Sequence, residues 1–155
     1  MNEAELAKFV IREARLIDEK RFDEWYELFA EDAYYWVPLA PGQTDPLAHN
    51  SLAYDDKLLL KLRIERLKQP TAYSHKPVSS SLHVMQTPEV EKSDPARGEF
   101  VTRTPFLYTE TRGDDSQRYA AVAWHTLVGP PLRIRLKRVD ILNADAALPS
   151  IQLFL

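Results

Sequence analysis

Cysteine is absent from all 155 residues. That excludes disulfides, zinc–thiolate sites, iron–sulfur clusters and cysteine nucleophiles within this chain, because each needs a thiolate. Glycine is scarce, four residues against eleven prolines, which disfavours glycine-rich phosphate loops and points to turns stiffened by proline. No apolar run approaches the ~20 residues that cross a bilayer. The opening MNEAELAKFVIREARL carries acids from Glu3 onward and lacks the basic and unbroken apolar stretches of a secretion signal, so the expectation is a cytoplasmic protein. Neither sign of charge prevails: 20 basic against 23 acidic residues give a net charge of -3. There is no electrostatic footprint for nucleic acid or an anionic membrane.

What the chain has is apolar material, 45% of its residues, enough for one core, and it reads as a single domain over residues 1–155. Leu6, Phe9, Val10, Ala14 and Ile17 recur at three- and four-residue steps, predicting an amphipathic helix from Glu3 to Lys20. A short second helix, Glu24 to Phe29, is expected behind an Asp23 cap. The aromatic and β-branched run Ala33 to Val37, closed by Pro38, reads as a strand. Pro38 to Ser51 reads as an irregular connection. A third helix follows from Asp55 to Lys68, capped by Asp55 or Asp56, with Leu58, Leu59, Leu62 and Leu67 as its apolar positions and Gln69-Pro70 as its stop.

Beyond it the period changes. Strands are predicted at Leu82 to Val90, Gly98 to Arg112, Gln117 to Val128 and Leu132 to Leu142, separated by turns too short for anything but antiparallel neighbours. The fold class is therefore α+β, with helices packed in the curved inner face of an antiparallel meander. Ile151, Leu153, Phe154 and Leu155 make an apolar tail. Since burial gains roughly 1.5–3 kcal/mol per such side chain, the tail is expected to dock on the core or on a partner.

The candidate chemistry is sparse. The histidines are His49, His75, His83 and His125, and no two stand at the i, i+4 spacing of a helical metal site. His83 and His125, both in predicted strands, are the pocket candidates. Asp32 and Tyr34 would supply a base and an oxyanion donor if they faced one cavity; a solvated carboxylate and a core tyrosine are the plainer reading. Asp55 and Asp56 are adjacent, so they do not share a helix face and read as caps. Ser79 to Ser81 lack a G-x-S-x-G elbow and read as a polar strand entrance.

Three strings carry a resemblance. EARLIDEKRFDEWYELFAEDAYYWVP (Glu13 to Pro38), YDDKLLLKLRIERL (Tyr54 to Leu67) and RLKRVDILNADAALPSIQLFL (Arg135 to Leu155) together resemble the small, or β, subunits of Rieske-type aromatic-ring-hydroxylating dioxygenases, most closely those acting on benzoate-type acids. The resemblance implies an NTF2-like cone with no catalytic, cofactor or metal residue of its own. It implies a large-subunit partner that carries the Rieske cluster and the mononuclear iron, and a hexamer of three small and three large subunits with contacts among the small ones. The reaction it implies is cis-dihydroxylation of an aromatic ring with electrons from NAD(P)H.

By the same resemblance, Pro77, Ser79, His83, Arg138, Ile151, Leu153 and Phe154 are the expected interface residues. Before the second strand the family reads like P-x-S-R-T-R-H; here Pro77, Ser79 and His83 match, while Ser80, Ser81 and Leu82 depart. Two other classes compete. One is a stand-alone NTF2-like isomerase or dehydratase using Asp32, Tyr34, His83 or His125, which needs an open pocket. The other is a scaffold that assembles only with copies of itself.

Overall fold

A computed structural model describes residues 1–40, 42–69, 78–146, 148 and 151–155. Helix α1 (Glu3–Asp18) opens on a capping box in which the Asn2 and Glu5 backbone N–H groups each donate to the other's side-chain oxygen. Its buried stripe, Leu6, Val10, Glu13, Ala14, Leu16 and Ile17, follows the expected period and includes one carboxylate. Helix α2 (Phe22–Glu27) starts two residues before its predicted position. No side chain caps it; Asp23 sits in its first turn and pairs with Lys68 at 2.6 Å.

Strand β1 (Phe29–Pro38) is longer than predicted, and β2 (Ser51–Asp56) is a strand that was not expected: it begins where the irregular connection was to end and takes in Asp55 and Asp56, expected as the start of the third helix. Helix α3 (Lys57–Leu67) is capped by the Asp56 side chain on the Leu59 N–H. The apolar face of α3 differs from the expected one: Leu60 and Ile64 are buried, whereas Leu58, Leu59 and Leu62 are exposed. Three consecutive leucines, Leu58 to Leu60, leave the helix phase undetermined, and packing chose the last of them.

The expected strand Leu82 to Val90 is two strands, β3 (Ser79–Met85) and β4 (Glu89–Asp94), broken around Pro88. Both pair with β5 (Glu99–Arg112), β3 along residues 106–112 and β4 along residues 99–103. Pro105 lies at the break; its carbonyl accepts from Gln86 N–H on the side where its own missing N–H faces no partner strand. Strands β5 and β6 (Asp115–Val128) form a full-length antiparallel hairpin, and β6 pairs antiparallel with β7 (Arg133–Ile141).

The simple meander needs a further correction. The sheet order is β2-β1-β7-β6-β5-β3, and β1 runs parallel to β7, with Tyr35 opposite Lys137. Short turns dictate antiparallel neighbours only between consecutive strands, and β1 reaches β7 after a crossover of nearly a hundred residues. The sheet's inner residues and the three helices enclose one core around Trp25, Phe29, Tyr35, Phe100, Tyr108 and Phe154. At one rim the turn after β4 meets the turn after β6. Gly98 has φ +63, and a Cβ there would stand 2.2 Å from the Gly129 carbonyl oxygen, so only glycine fits.

Candidate functional site

Inside the cone, α1 and the sheet build two linked polar clusters. The first centres on Glu13, which is 1% exposed. Its carboxylate accepts from Lys137 Nζ at 2.8 Å, from Trp25 Nε1 at 2.7 Å and from His125 Nε2 at 2.7 Å. Lys137, 2% exposed, also donates to the backbone oxygen of Leu155. Burial alone raises the Glu13 carboxyl, but the Lys137 ammonium and the His125 hydrogen bond overcome it and hold Glu13 well below the usual carboxylate range.

An ionised carboxylate only accepts, so His125 carries its proton on Nε2. Its Nδ1 has no hydrogen-bond partner among the described residues. Burial accordingly lowers the His125 pKa below 6.5, outweighing the pull of Glu13, and keeps the ring neutral. These shifts fix a sign. Both folded-state values lie below the unfolded ones, so the unfolded chain binds more protons in acid and stability falls as pH drops. His125 acts first, below about 6.5, and Glu13 below about 4.5. Urea denaturation between pH 8 and pH 5 should show stability lost with a slope of up to about 1.4 kcal/mol per pH unit for one proton; H125Q, which retains a donor for Glu13, should flatten that limb. A wild-type chain equally stable at pH 8 and pH 5 would contradict the assignment.

The second cluster starts five residues along α1. Asp18 accepts from the His83 backbone N–H at 2.8 Å, stands 2.7 Å from His83 Nδ1, and accepts from Ser81 Oγ at 3.0 Å. The His83 ring stacks on Phe106. Nearby, Tyr108 O–H donates to Glu110 at 2.7 Å, and Glu110 also accepts the Gln152 and Leu153 backbone N–H groups at 2.9 Å. The Leu155 N–H donates to Tyr35 Oη at 3.0 Å. Both ends of segment 151–155 are thus held by buried side chains.

The proton-transfer set Asp32, Tyr34, His83 and His125 is not assembled. Asp32 is exposed beside Arg135, and Tyr34 stacks on Tyr54. His83 and His125 are tied to different carboxylates of α1. Where that reading needs an open pocket, Trp25, Phe22, Tyr35 and the tail's own Phe154 fill the cone. Among the described residues no three histidine, aspartate or glutamate side chains gather to hold a metal ion, and no helix is long and apolar enough to cross a membrane.

The expected interface residues are distributed unevenly. The Ser79, Leu153 and Phe154 side chains are buried within this chain, and that of His83 is 3% exposed; they shape the surface from beneath and present little of it. Arg138 stacks on Trp36 at 4.5 Å and binds Asp140 at 2.9 Å. Ile151 is half-buried. Pro77, like His75, lies outside the described residues.

The sequence reading missed the surface next to them. Across the outer face of the sheet, Val84 pairs with Leu107, Leu107 with Ala120, and Leu142 N–H bonds the Ala120 carbonyl. Val84, Leu107 and Leu142 are 60%, 59% and 79% exposed. With Pro105 and Val122 they floor a hollow of about 630 Å³, walled by Pro38 and Ala40. Alternation within β3 and β5 carried part of the signal: Leu82 and Val84, and Pro105 and Leu107, fall on the face turned away from the core, bordered there by the polar Ser80, Arg103 and Thr109.

An α-helical layer held in a curved mixed sheet is the NTF2-like architecture. An NTF2-like protein with a cystatin-like fold from Novosphingobium aromaticivorans superposes with a TM-score of 0.61 over 93% of this chain and 84% of its own, at 16% identity. The model of the family described as ring hydroxylating beta subunit matches residues 12–145, and the chain belongs to that family. The benzene 1,2-dioxygenase subunit beta of Pseudomonas putida is 26% identical over 118 residues, 70% of this chain. The match spans 62% of that relative's length. The crystal structure of the beta subunit of benzoate 1,2-dioxygenase from Burkholderia mallei superposes with a TM-score of 0.77, covering 98% of this chain and 97% of its own at 24% identity.

Proposed function

We propose that this chain is the non-catalytic β subunit of a cytoplasmic aromatic-ring-hydroxylating dioxygenase, and that its work is to dock a large subunit and its own copies in a three-plus-three assembly. Family membership and the exposed apolar row Val84–Leu107–Leu142 support the reading. Exposed contiguous apolar surface of this kind is unfavourable on a free monomer and is relieved by burial in an interface. The Rieske cluster and mononuclear iron belong to the partner. This chain offers no thiolate, and both described histidines inside the cone are occupied by carboxylates, so its residues do not fit either group.

In this reading the polar clusters stiffen the cone so that its outer face keeps one shape. Leu82, Val84, Leu107, Arg138 and Ile151 supply the contact surface, while Ser79 and His83 set the course of β3 beneath it. Pro77 is placed in the same contact by the family resemblance. The partner performs cis-dihydroxylation of the aromatic ring with electrons from NAD(P)H.

Co-expression with the large subunit encoded beside it should give one stoichiometric complex on a sizing column, with ring dihydroxylation only when the large subunit is present. Two proteins eluting separately, or turnover by this chain alone, would overturn the reading.

A further inference from the structure

Helix α3 carries a second apolar feature besides its buried face. Leu60 and Ile64 enter the core, whereas Leu58, Leu59 and Leu62 stand out from the opposite side at 66%, 45% and 57% exposure. Leu58 and Leu62 are one turn apart, the exposed Arg66 continues their stripe by another turn, and the exposed Lys61 flanks it. The acid on this side, Glu65, is paired with Lys68 at 3.4 Å. The helix therefore presents a leucine ridge edged by cations.

The complement of this ridge lies across the sheet. The outer hollow of about 630 Å³ is lined by apolar residues apart from Gln86 and Asp140, and the exposed Asp145 follows its Ala144 wall. Helix α3 packs on β1 and β2 from the core side, while the hollow opens on the outer face, so one molecule cannot bring ridge and hollow together. Two copies can. Like surfaces pair poorly: ridge against ridge sets Lys61 and Arg66 on their own kind, and hollow against hollow encloses a void. A contact between two different surfaces is heterologous, repeats from chain to chain and closes into a ring.

We propose that the Leu58 and Leu62 ridge of one chain seats in the outer hollow of the next, with Lys61 and Arg66 toward Asp140 and Asp145, and that this contact closes the small subunits into a ring. The inference rests on the assembly reading and adds which surfaces meet. The large subunit then docks on the closed ring, so a variant that opens the ring loses the large subunit as well.

Two variants, L62D on the ridge and L107D in the hollow, each place the new carboxylate at an exposed position, and circular dichroism checks that both fold. Sedimentation should show wild type as a trimer and each variant as a monomer, self-association having weakened about a hundredfold or more. An equimolar mixture should form dimers, because L107D still offers a ridge and L62D still offers a hollow. The chain has no cysteine, so L62C/L107C treated with a short bis-maleimide in the complex with the large subunit should yield two and three linked small chains. L62C or L107C alone should link none. A large-subunit complex in which the doubly substituted chain stays unlinked overturns this contact and leaves the assembly reading standing, and linked dimers from a single-site variant do the same. A mixture that stays monomeric also overturns the contact. A wild-type chain that is monomeric and forms no complex overturns the contact and the reading beneath it.

Discussion

Lys137→Met should destabilise the chain by about 3–5 kcal/mol, the cost of removing one partner of a buried ion pair. The Glu13 carboxylate keeps Trp25 and His125 as donors but loses the Lys137 ammonium, the only cation within hydrogen-bonding distance among the described residues, and the Leu155 oxygen loses its donor as well. For a domain of this size, about 2–4 °C is lost per kcal/mol, so the melting temperature should fall by roughly 6–20 °C. The double variant E13Q/K137M removes both charges while leaving an amide oxygen for Trp25 and His125, and it should recover at least half of the loss. Thermal and urea denaturation of the three chains checks this. A K137M chain within 1 kcal/mol of wild type would mean that the ammonium is not committed to Glu13.

Leu107→Asp should abolish assembly with the large subunit while leaving this chain folded. Leu107 is 59% exposed in the middle of the outer apolar row, so in the isolated chain the new carboxylate stays in water and costs little. Pressed into an interface it is desolvated without a partner, a penalty of several kcal/mol and hence a loss of affinity of about a hundredfold or more. Co-purification and circular dichroism report the two effects separately. An L107D chain that still co-elutes with the large subunit would remove this face from the interface.

The same residues show why the sequence is readable in some places and not in others. Periodicity identified α1 because its buried stripe repeats along one continuous helix, and the alternation in β5 to β7 survived because those strands are long and joined by short turns. It failed at α3, where Leu58, Leu59, Leu60 and Leu62 satisfy more than one phase, and at β2, which is an edge strand bounded by turn-forming residues. Asp23 had the composition of a cap but sits inside the first turn of α2, where Lys68, 45 residues away, pairs with it.

The site was less legible than the fold. His125 was singled out for being a histidine in a strand, yet its character comes from Glu13, which is 112 residues distant, and from burial. Lys137 drew no notice, since a lysine in a strand ordinarily lies on the solvated face. His83, expected at an interface, turns its ring toward Asp18 and Phe106, neighbours that its place in a strand did not reveal.

The sequence by itself determined the α+β class, the absence of thiolate chemistry and the apolar tail, because each depends on composition or on patterns within one segment; the family entered through the resemblance of three separated strings. The tertiary structure decided which face of α3 is buried, that β1 lies parallel to β7, that the tail fills the cone, and which carboxylate meets which cation. Those outcomes depend on distant segments brought together by the curvature of one sheet, and no local period encodes that curvature.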